Sequence, residues 1–259
     1  MLLSLVISTR NRAESLSKCL DYTLGMQWAF EVVVVDNGST DSTRDVINSF
    51  QQSCPERISA KTVFEPSAGL ARARNTGWRA ATGEIVGFTD DDCYVDPDFM
   101  NAVSRQFASD ASLGYLGGRI LLFDSRDLRK TIKESTTTED VPPRTFVPAG
   151  FIQGANFAFR REALEACGGF DELMGAGTAY PAEDIDLITR LSAVGWAGRY
   201  SPEPVVYHHH GRRSADDAFQ LDKGYDVGRG AYYAACVINI AVPGQAILYW
   251  LRNARRYSV

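Results

Sequence analysis

Three aspartates in a row, Asp90-Asp91-Asp92, follow directly on the apolar run Ile85–Thr89. Adjacent carboxylates repel one another, and nothing about ending a strand requires them. A divalent cation bridging them to a diphosphate would remove that repulsion and neutralise a departing phosphate. A second acidic group, Glu183-Asp184-Ile185-Asp186 with Arg190 behind it, opens a helical pattern. The helix dipole alone favours carboxylates there, yet the same place suits a base that takes the proton of an acceptor hydroxyl. All three histidines are consecutive, His208-His209-His210, on a β-like run whose alternation puts His208 and His210 on one face. A neutral imidazole would complete an oxygen-rich shell around Mn2+ or Mg2+.

Two further groups fall after apolar runs. Thr9-Arg10-Asn11-Arg12 and Asp36 offer a carboxylate for the N–H edge of a uracil or guanine, with hydroxyl and guanidinium groups for ribose and phosphate. Asp36-Asn37-Gly38-Ser39 reads equally as a turn with an N-cap for the next helix. In Gly69-Leu70-Ala71-Arg72-Ala73-Arg74-Asn75 a glycine opens a helix whose free N–H groups and two arginines suit an anion. The alternative there is an ordinary solvated helix face.

The elements that must position these residues alternate. Leu2–Ile7, Val32–Val35, Ile58–Phe64 and Glu84–Thr89 are strand candidates. Between them lie helical patterns carrying Leu16, Leu20 and Leu24, then Val46, Ile47 and Phe50, then the Ala- and Arg-rich stretch Ala71–Ala81. Such alternation predicts a mostly parallel sheet flanked by helices, with ligands beyond the carboxyl ends of the strands. Pro97-Asp98 starts a helix. Beyond residue 124 the pattern loosens. Ser125–Pro148, with Ser135-Thr136-Thr137-Thr138 and Pro142-Pro143, reads as a mobile loop. A strand (Ala155–Phe159), a helix from Arg161, a glycine-rich stretch (Gly168–Gly177), a helix (Glu183–Val194) and a β-like run (Val205–His210) follow.

The 259 residues are 45% hydrophobic with a net charge of −5, which suits an α/β globular chain and argues against a nucleic-acid binder. The charge is uneven, because residues 211–259 hold seven basic and four acidic side chains and the rest carries −8. Five scattered cysteines form neither a CxxC pair nor a disulfide framework and read as reduced thiols. Met1–Ile7 lacks the charged lead of a signal peptide.

Taken in order, the motifs resemble the family 2 glycosyltransferases, which have the GT-A (Rossmann-like) fold. The resemblance runs over about residues 2–211 through Val6–Arg12, Val34–Asp41, Gly69–Gly77, Phe88–Asp92, Gly154-Ala155-Asn156, Arg160-Arg161, Gly168–Asp171 and Glu183-Asp184 through Arg190. It implies an inverting transfer of a sugar from a nucleoside-diphosphate sugar, a UDP-sugar first, to a hydroxyl of a glycan or lipid-linked glycan. In that likeness Asp36 reads the base, within a nucleotide-binding segment that includes Thr9 and Arg12, while Arg74 and Asn75 lie near the diphosphate. Asp90 and Asp92 are the metal ligands of the DXD motif, Asp91 lies near the ribose, and His208 is the late metal-binding histidine. Asp184 is the general base of the ED motif, with Glu183 beside it, and Gly154, Asn156 and Arg190 lie toward sugar and acceptor. The cofactor implied is Mn2+ or Mg2+. One departure is that Ser8-Thr9-Arg10-Asn11 lacks the family's opening Pro-x-Tyr-Asn, and with it a base-stacking aromatic.

This divides the chain into a catalytic domain at 1–211, with a nucleotide-binding half at 1–123 and an acceptor half at 124–211, and a helical, basic extension at 212–259. Ala231–Leu251 is apolar but broken by Asn239, Pro243, Gly244 and Gln245, and ends in Arg252, Arg255 and Arg256. It reads either as a helix packed on the body or as peripheral membrane contact through 231–256, in a cytoplasmic protein at the cytoplasmic face. Rival readings are a non-catalytic partner of the same fold in a polysaccharide-assembly complex, a sugar nucleotidyltransferase, which should show glycine after the first strand, and a phosphohydrolase.

Overall fold

A computed structural model describes residues 1–239. Leu3–Thr9 (β1), Phe30–Asp36 (β2), Ile58–Phe64 (β3) and Ile85–Asp90 (β4) lie parallel, in the order β3-β2-β1-β4. β2, Phe-Glu-Val-Val-Val-Val-Asp, is buried along its whole length, as expected of a β-branched strand covered on both faces. β3 is the edge and is mostly exposed. Alternation divides the side chains of β1 between two cores. Leu3, Leu5 and Ile7 face Leu16, Leu20, Ile47 and Phe99, whereas Val6 faces Ala73, Trp78, Phe88 and Phe157.

Helices cover each face. Ala13–Leu24 (α1), Thr43–Ser53 (α2) and Phe99–Ser109 (α4) supply the first core. Leu70–Ala80 (α3), Arg161–Cys167 (α5), Glu183–Val194 (α6) and Ala215–Asn239 (α7) supply the second. The small residues of α3 let it lie close on the sheet: a Cβ on Gly77 would fall 2.4 Å from Val6 Cγ1. One buried carboxylate ties strands to loop, since Glu31 of β2 accepts the Ser4 hydroxyl and the Thr82 N–H (2.7 Å).

The second half completes the same sheet. Asn156–Arg160 (β8) pairs antiparallel with β4, then come Leu113–Leu122 (β6) and Ala197–His208 (β9), which runs parallel to β6. Cys93–Val95 (β5) and Glu139–Val141 (β7) both pair with β9. Among the described residues the result is a mixed, mostly parallel sheet of nine strands. β6 was absent from the sequence expectation because Gly114, Gly117 and Gly118 erase its strand pattern. Each is a close approach, since a Cβ there would collide with Trp196, Ile152 and Asn156 respectively. β9 starts eight residues earlier than expected. Pro202 and Pro204 mask it, and there the pairing with β6 slips, from Gly117↔Tyr200 to Arg119↔Val205. The polar stretch 125–148 is irregular except for β7 and a bridge from Lys133 to Ile120.

The registers Thr9↔Asp36 and Ser8↔Asp90 bring the loops after β1, β2 and β4 to one end of the sheet. The Cys93↔His208 pairing carries the end of β9 to the same place. α7 lies across it. Tyr232 and Cys236 are fully buried, and the Tyr232 hydroxyl lies 2.7 Å from both Thr189 Oγ1 and the Val147 carbonyl. Up to Cys236, then, the tail packs on the body. Residues 240–259, with most of the expected membrane segment, lie outside the described residues. No described helix is long and apolar enough to cross a membrane.

Candidate active site

Where these loops converge lies a cavity of about 620 Å³. Ten of the expected residues line it: Thr9, Arg12, Arg74, Asp90, Asp91, Asp92, Gly154, Glu183, Asp184 and His208. Their groups are tied to one another. The Thr9 hydroxyl donates to Asp91 Oδ2 (2.7 Å), and Arg12 reaches Asp91 Oδ1 (3.2 Å) and Asp92 Oδ2 (2.8 Å). Burial pushes the Asp91 carboxyl up to about 7 despite Arg12 and Thr9. Burial acts on Asp92 in the same sense, but His208 and Arg12 outweigh it and hold that carboxyl well below the usual range. His208 Nε2 lies 3.4 Å from Asp92 Oδ1, and its Nδ1 lies 3.1 Å from Thr131 Oγ1. Burial would lower this imidazole; the facing Asp92 raises it. His210 turns elsewhere: Nδ1 accepts the Arg212 N–H (3.0 Å) and Nε2 donates to the Leu128 carbonyl (2.9 Å).

Arg74 joins the two acidic motifs. Its guanidinium is buried, with Nη1 2.7 Å from Glu183 Oε1 and Nη2 3.0 Å from Asp90 Oδ1 and 3.1 Å from the Gly154 carbonyl. Phe157 and Phe170 flank it, with ring centres 5.0 and 5.7 Å from Cζ. Burial pushes the Glu183 carboxyl up to about 7, with Arg74 opposing and Asp184 adding to the rise. Asp184 sits at the cavity wall, its Oδ2 accepting the Gly154 N–H (2.9 Å). Gly154 has to be small, because a Cβ would stand 3.0 Å from Arg74 Nη2 and 3.3 Å from Asp184 Oδ2. Asp186 points away and pairs with Arg190 at 2.8 Å.

Four expected residues are not brought to the cavity. Asp36 is buried and accepts the Ser39 N–H (2.8 Å), as the turn reading expects, although the next helix is entered only at Ser42, while its neighbour Asn37 reaches the lining. Asn75 spends its amide on Phe170 and Glu172 and its oxygen on Phe170 N–H and Trp78 Nε1, holding the Gly168–Asp171 loop to α3. Asn156 donates to the carbonyls of Arg119 (2.8 Å) and Pro204 (3.0 Å), bridging the slipped β6–β9 register. Arg190 donates to the carbonyls of Cys167 (2.9 Å) and Gly169 (2.8 Å), clamping α5 to α6. In each case the polar groups satisfy buried backbone or neighbouring side chains.

The sequence reading missed the contribution of the tail. Arg212, Tyr225 and Arg229 line the cavity. The Tyr225 phenol is pushed up to about 12 by burial, with the Asp184 charge adding and Arg212 opposing. The one sequence signal was glycine inside a helical stretch: a Cβ on Gly228 would meet the Pro181 carbonyl at 2.1 Å, so only glycine lets α7 press on the loop that leads into Glu183-Asp184.

The description glycosyl transferase family 2 fits residues 4–168, more than half of the chain. The chain belongs to glycosyl transferase family 2. Among similar proteins, the chain is 33% identical over 174 residues to an uncharacterized glycosyltransferase of Nostoc sp., covering 64% of this chain and 52% of that one. It is 32% identical over 227 residues to the validoxylamine A glucosyltransferase of Streptomyces hygroscopicus subsp. jinggangensis, covering 75% and 52%. The chain spans about half the length of these curated relatives. Among solved structures, S. aureus TarS 1–349 in complex with UDP superposes with a TM-score of 0.69 at 17% identity, covering 100% of this chain and 73% of that one. The mannosyltransferase PcManGT of Pyrobaculum calidifontis, in complex with GDP-Man and Mn2+, gives 0.62 at 22% identity, covering 99% and 81%. These likenesses place the chain in the GT-A fold.

Proposed function

We propose that this chain transfers a sugar, with inversion, from a nucleoside-diphosphate sugar to a hydroxyl acceptor, with Asp184 as general base. The observation that carries the reading is that one cavity is lined by Asp184 and by Asp90-Asp91-Asp92 with His208, with buried Arg74 linking Asp90 to Glu183 beside Asp184. In the single step, the acceptor oxygen bonds to the anomeric carbon as its proton passes to Asp184. The bond from that carbon to the diphosphate oxygen breaks with its electron pair leaving on the nucleoside diphosphate. Asp186, paired with Arg190 outside the cavity, is not placed for this role.

Asp92 and His208 present an oxygen and a nitrogen 3.4 Å apart, a donor set that fits a divalent cation, with Asp90 bordering it. Such an ion, when bound, supplies positive charge to the departing diphosphate. Arg12, Arg212 and Arg229 add fixed positive charge around the same cavity. Residues 1–123 bring the donor side, joined there by His208 and Arg212, and the rest of 124–211 brings the acceptor side. We read the donor as a UDP-sugar and the acceptor as a glycan or lipid-linked glycan. The exposed apolar side chains Phe219, Val227, Val237 and Ile238 of α7 support peripheral contact with a membrane, which co-sedimentation with anionic vesicles tests.

A thermal-shift screen of UDP, GDP and dTDP, with and without Mn2+, tests the donor and metal assignments. At about 100 times its dissociation constant the right nucleotide stabilises the fold by roughly 2.7 kcal/mol. If none of the three shifts the transition under either condition, the reading fails.

A further inference from the structure

The metal-facing pair has a third donor behind it. Cys93 stands directly opposite His208 across the β5–β9 pairing, so the two side chains share a face. The Cys93 thiol lies 3.7 Å from Asp92 Oδ1, the same oxygen that lies 3.4 Å from His208 Nε2. One ligand atom from each of the three lies within 4.8 Å of the others, and all three residues are buried.

These spacings can be compared with a coordination sphere. A tetrahedral ion holds thiolate at about 2.3 Å, imidazole at about 2.0–2.1 Å and carboxylate oxygen at about 2.0–2.2 Å. At tetrahedral angles those lengths put sulfur about 3.6 Å, and nitrogen about 3.4 Å, from the oxygen. Two edges of the tetrahedron are thus already present. His208 is also oriented for it, since Nδ1 faces Thr131 Oγ1 (3.1 Å) and the Thr131 carbonyl (3.4 Å), which leaves Nε2 toward Asp92. Asp92 and His208 border the cavity, so the fourth position opens toward bound ligand.

We propose that Asp92, Cys93 and His208 form a mixed oxygen–sulfur–nitrogen site that takes a thiophilic divalent cation of the Zn2+ class. This rests on the reading that Asp92 and His208 hold a cation, and it adds that the thiol makes the site discriminate. Mn2+ and Mg2+ prefer oxygen and gain little from sulfur, whereas Zn2+ and Co2+ accept thiolate. Binding releases the thiol proton to solvent, because the ligand is the thiolate. Zn2+ then competes with a hard ion for the same carboxylate and imidazole.

Titration of the full chain with Co2+ tests this without any activity measurement. The wild type should develop a thiolate-to-cobalt charge-transfer band together with the intense visible absorption of tetrahedral Co2+, and Zn2+ should abolish both by displacement. Cys93→Ser should lose the charge-transfer band yet keep Mn2+ binding, read from the free-ion electron paramagnetic resonance signal. Cys19→Ser should keep the band, although Cys19 Sγ lies 3.2 Å from the Cys93 carbonyl. Mn2+ binding with no charge-transfer band in the wild type overturns the thiol ligand and leaves the metal assignment standing. A band that survives Cys93→Ser also overturns it. Failure of both ions to bind removes the metal assignment and this proposal with it. Should Cys93→Ser not fold, X-ray absorption of the cobalt-loaded wild type decides, because a missing sulfur shell at about 2.3 Å refutes the site.

Discussion

Replacing Arg74 with Met removes the cation held between Glu183 (2.7 Å) and Asp90 (3.0 Å) and leaves the buried Glu183 carboxyl and the partly exposed Asp90 carboxyl facing a thioether. Breaking a buried pair by removing one partner costs about 3–5 kcal/mol, because the surviving charge has neither water nor a partner. Arg74 is 2% exposed and Glu183 7%, so solvent does little to relieve it. For a chain of this size each kcal/mol moves Tm by roughly 2–4 °C, so Arg74→Met should lower Tm by roughly 6–20 °C at neutral pH. The loss should shrink as pH falls. Burial already holds the Glu183 carboxyl up at about 7 with Arg74 opposing, and without Arg74 it goes higher. A carboxyl raised in the folded state favours folding at low pH and loses that advantage as pH rises through its folded value. The double variant Arg74→Met/Glu183→Gln removes one of the stranded charges and should be more stable than Arg74→Met alone. Scanning calorimetry of wild type, the two single variants and the double variant at pH 5 and pH 8 gives the whole cycle. A Tm loss under about 3 °C for Arg74→Met at pH 8, or a double variant no more stable than Arg74→Met, would refute the role given to this arginine.

Four further outcomes are expected. Asp184→Asn keeps the Gly154 N–H contact but cannot accept a proton, so kcat should fall about 10²–10⁴-fold with donor affinity nearly unchanged. Asp186→Asn should instead lower Tm through the Arg190 pair, and loss of transfer in Asp186→Asn but not Asp184→Asn would exchange their roles. Arg212→Gln should raise the donor KM, and the increase should diminish at high salt because the contribution is charge; an unchanged KM excludes Arg212 from the donor site. Burial raises the Asp127 carboxyl, but Arg213 (2.9 Å) and the Gly211 N–H (2.9 Å) outweigh this and hold it below its ordinary value. A lowered folded-state value means stability present above about pH 4 and lost as pH falls through it. The Tm gap between wild type and Asp127→Asn should therefore close below about pH 4, and a gap that widens on acidification contradicts the assignment.

The first half of the fold was legible because buried parallel strands write themselves as apolar runs. Val32–Val35 falls within the fully buried β2, whereas Ile58–Phe64 matches β3, the mostly exposed edge, through the strand–helix alternation rather than through an apolar run. β6 was not legible because its three glycines answer to Trp196, Ile152 and Asn156, residues far along the chain that only the fold brings near. β9 hid behind Pro202 and Pro204, which the sheet accommodates by slipping register. For the site, the carboxylate runs stood out because nothing local needs so many like charges. Asn75, Asn156 and Arg190 sat within the same motifs, yet sequence spacing does not distinguish a side chain aimed into a cavity from one holding the loop beside it. Arg212 and Tyr225 could not be placed from sequence at all, since their position depends on α7 packing against the loop that leads into Glu183.

The strand order bears on how this chain could be recombined with its relatives. β4 finds its inner neighbour in β8, and β6 finds both of its neighbours in β8 and β9, so the sheet is interleaved across residue 123. A chimera joined there would take β6 from one parent and both strands flanking it from the other. The close-packed pairs Gly114–Trp196 and Gly117–Ile152 would then have to match between parents that never evolved together. If the donor is held as proposed, exchanging residues 1–123 as a block would break these pairs. Donor preference would then have to be grafted loop by loop, at the ends of β1, β2 and β4 and around His208 and Arg212, with the shared sheet left intact.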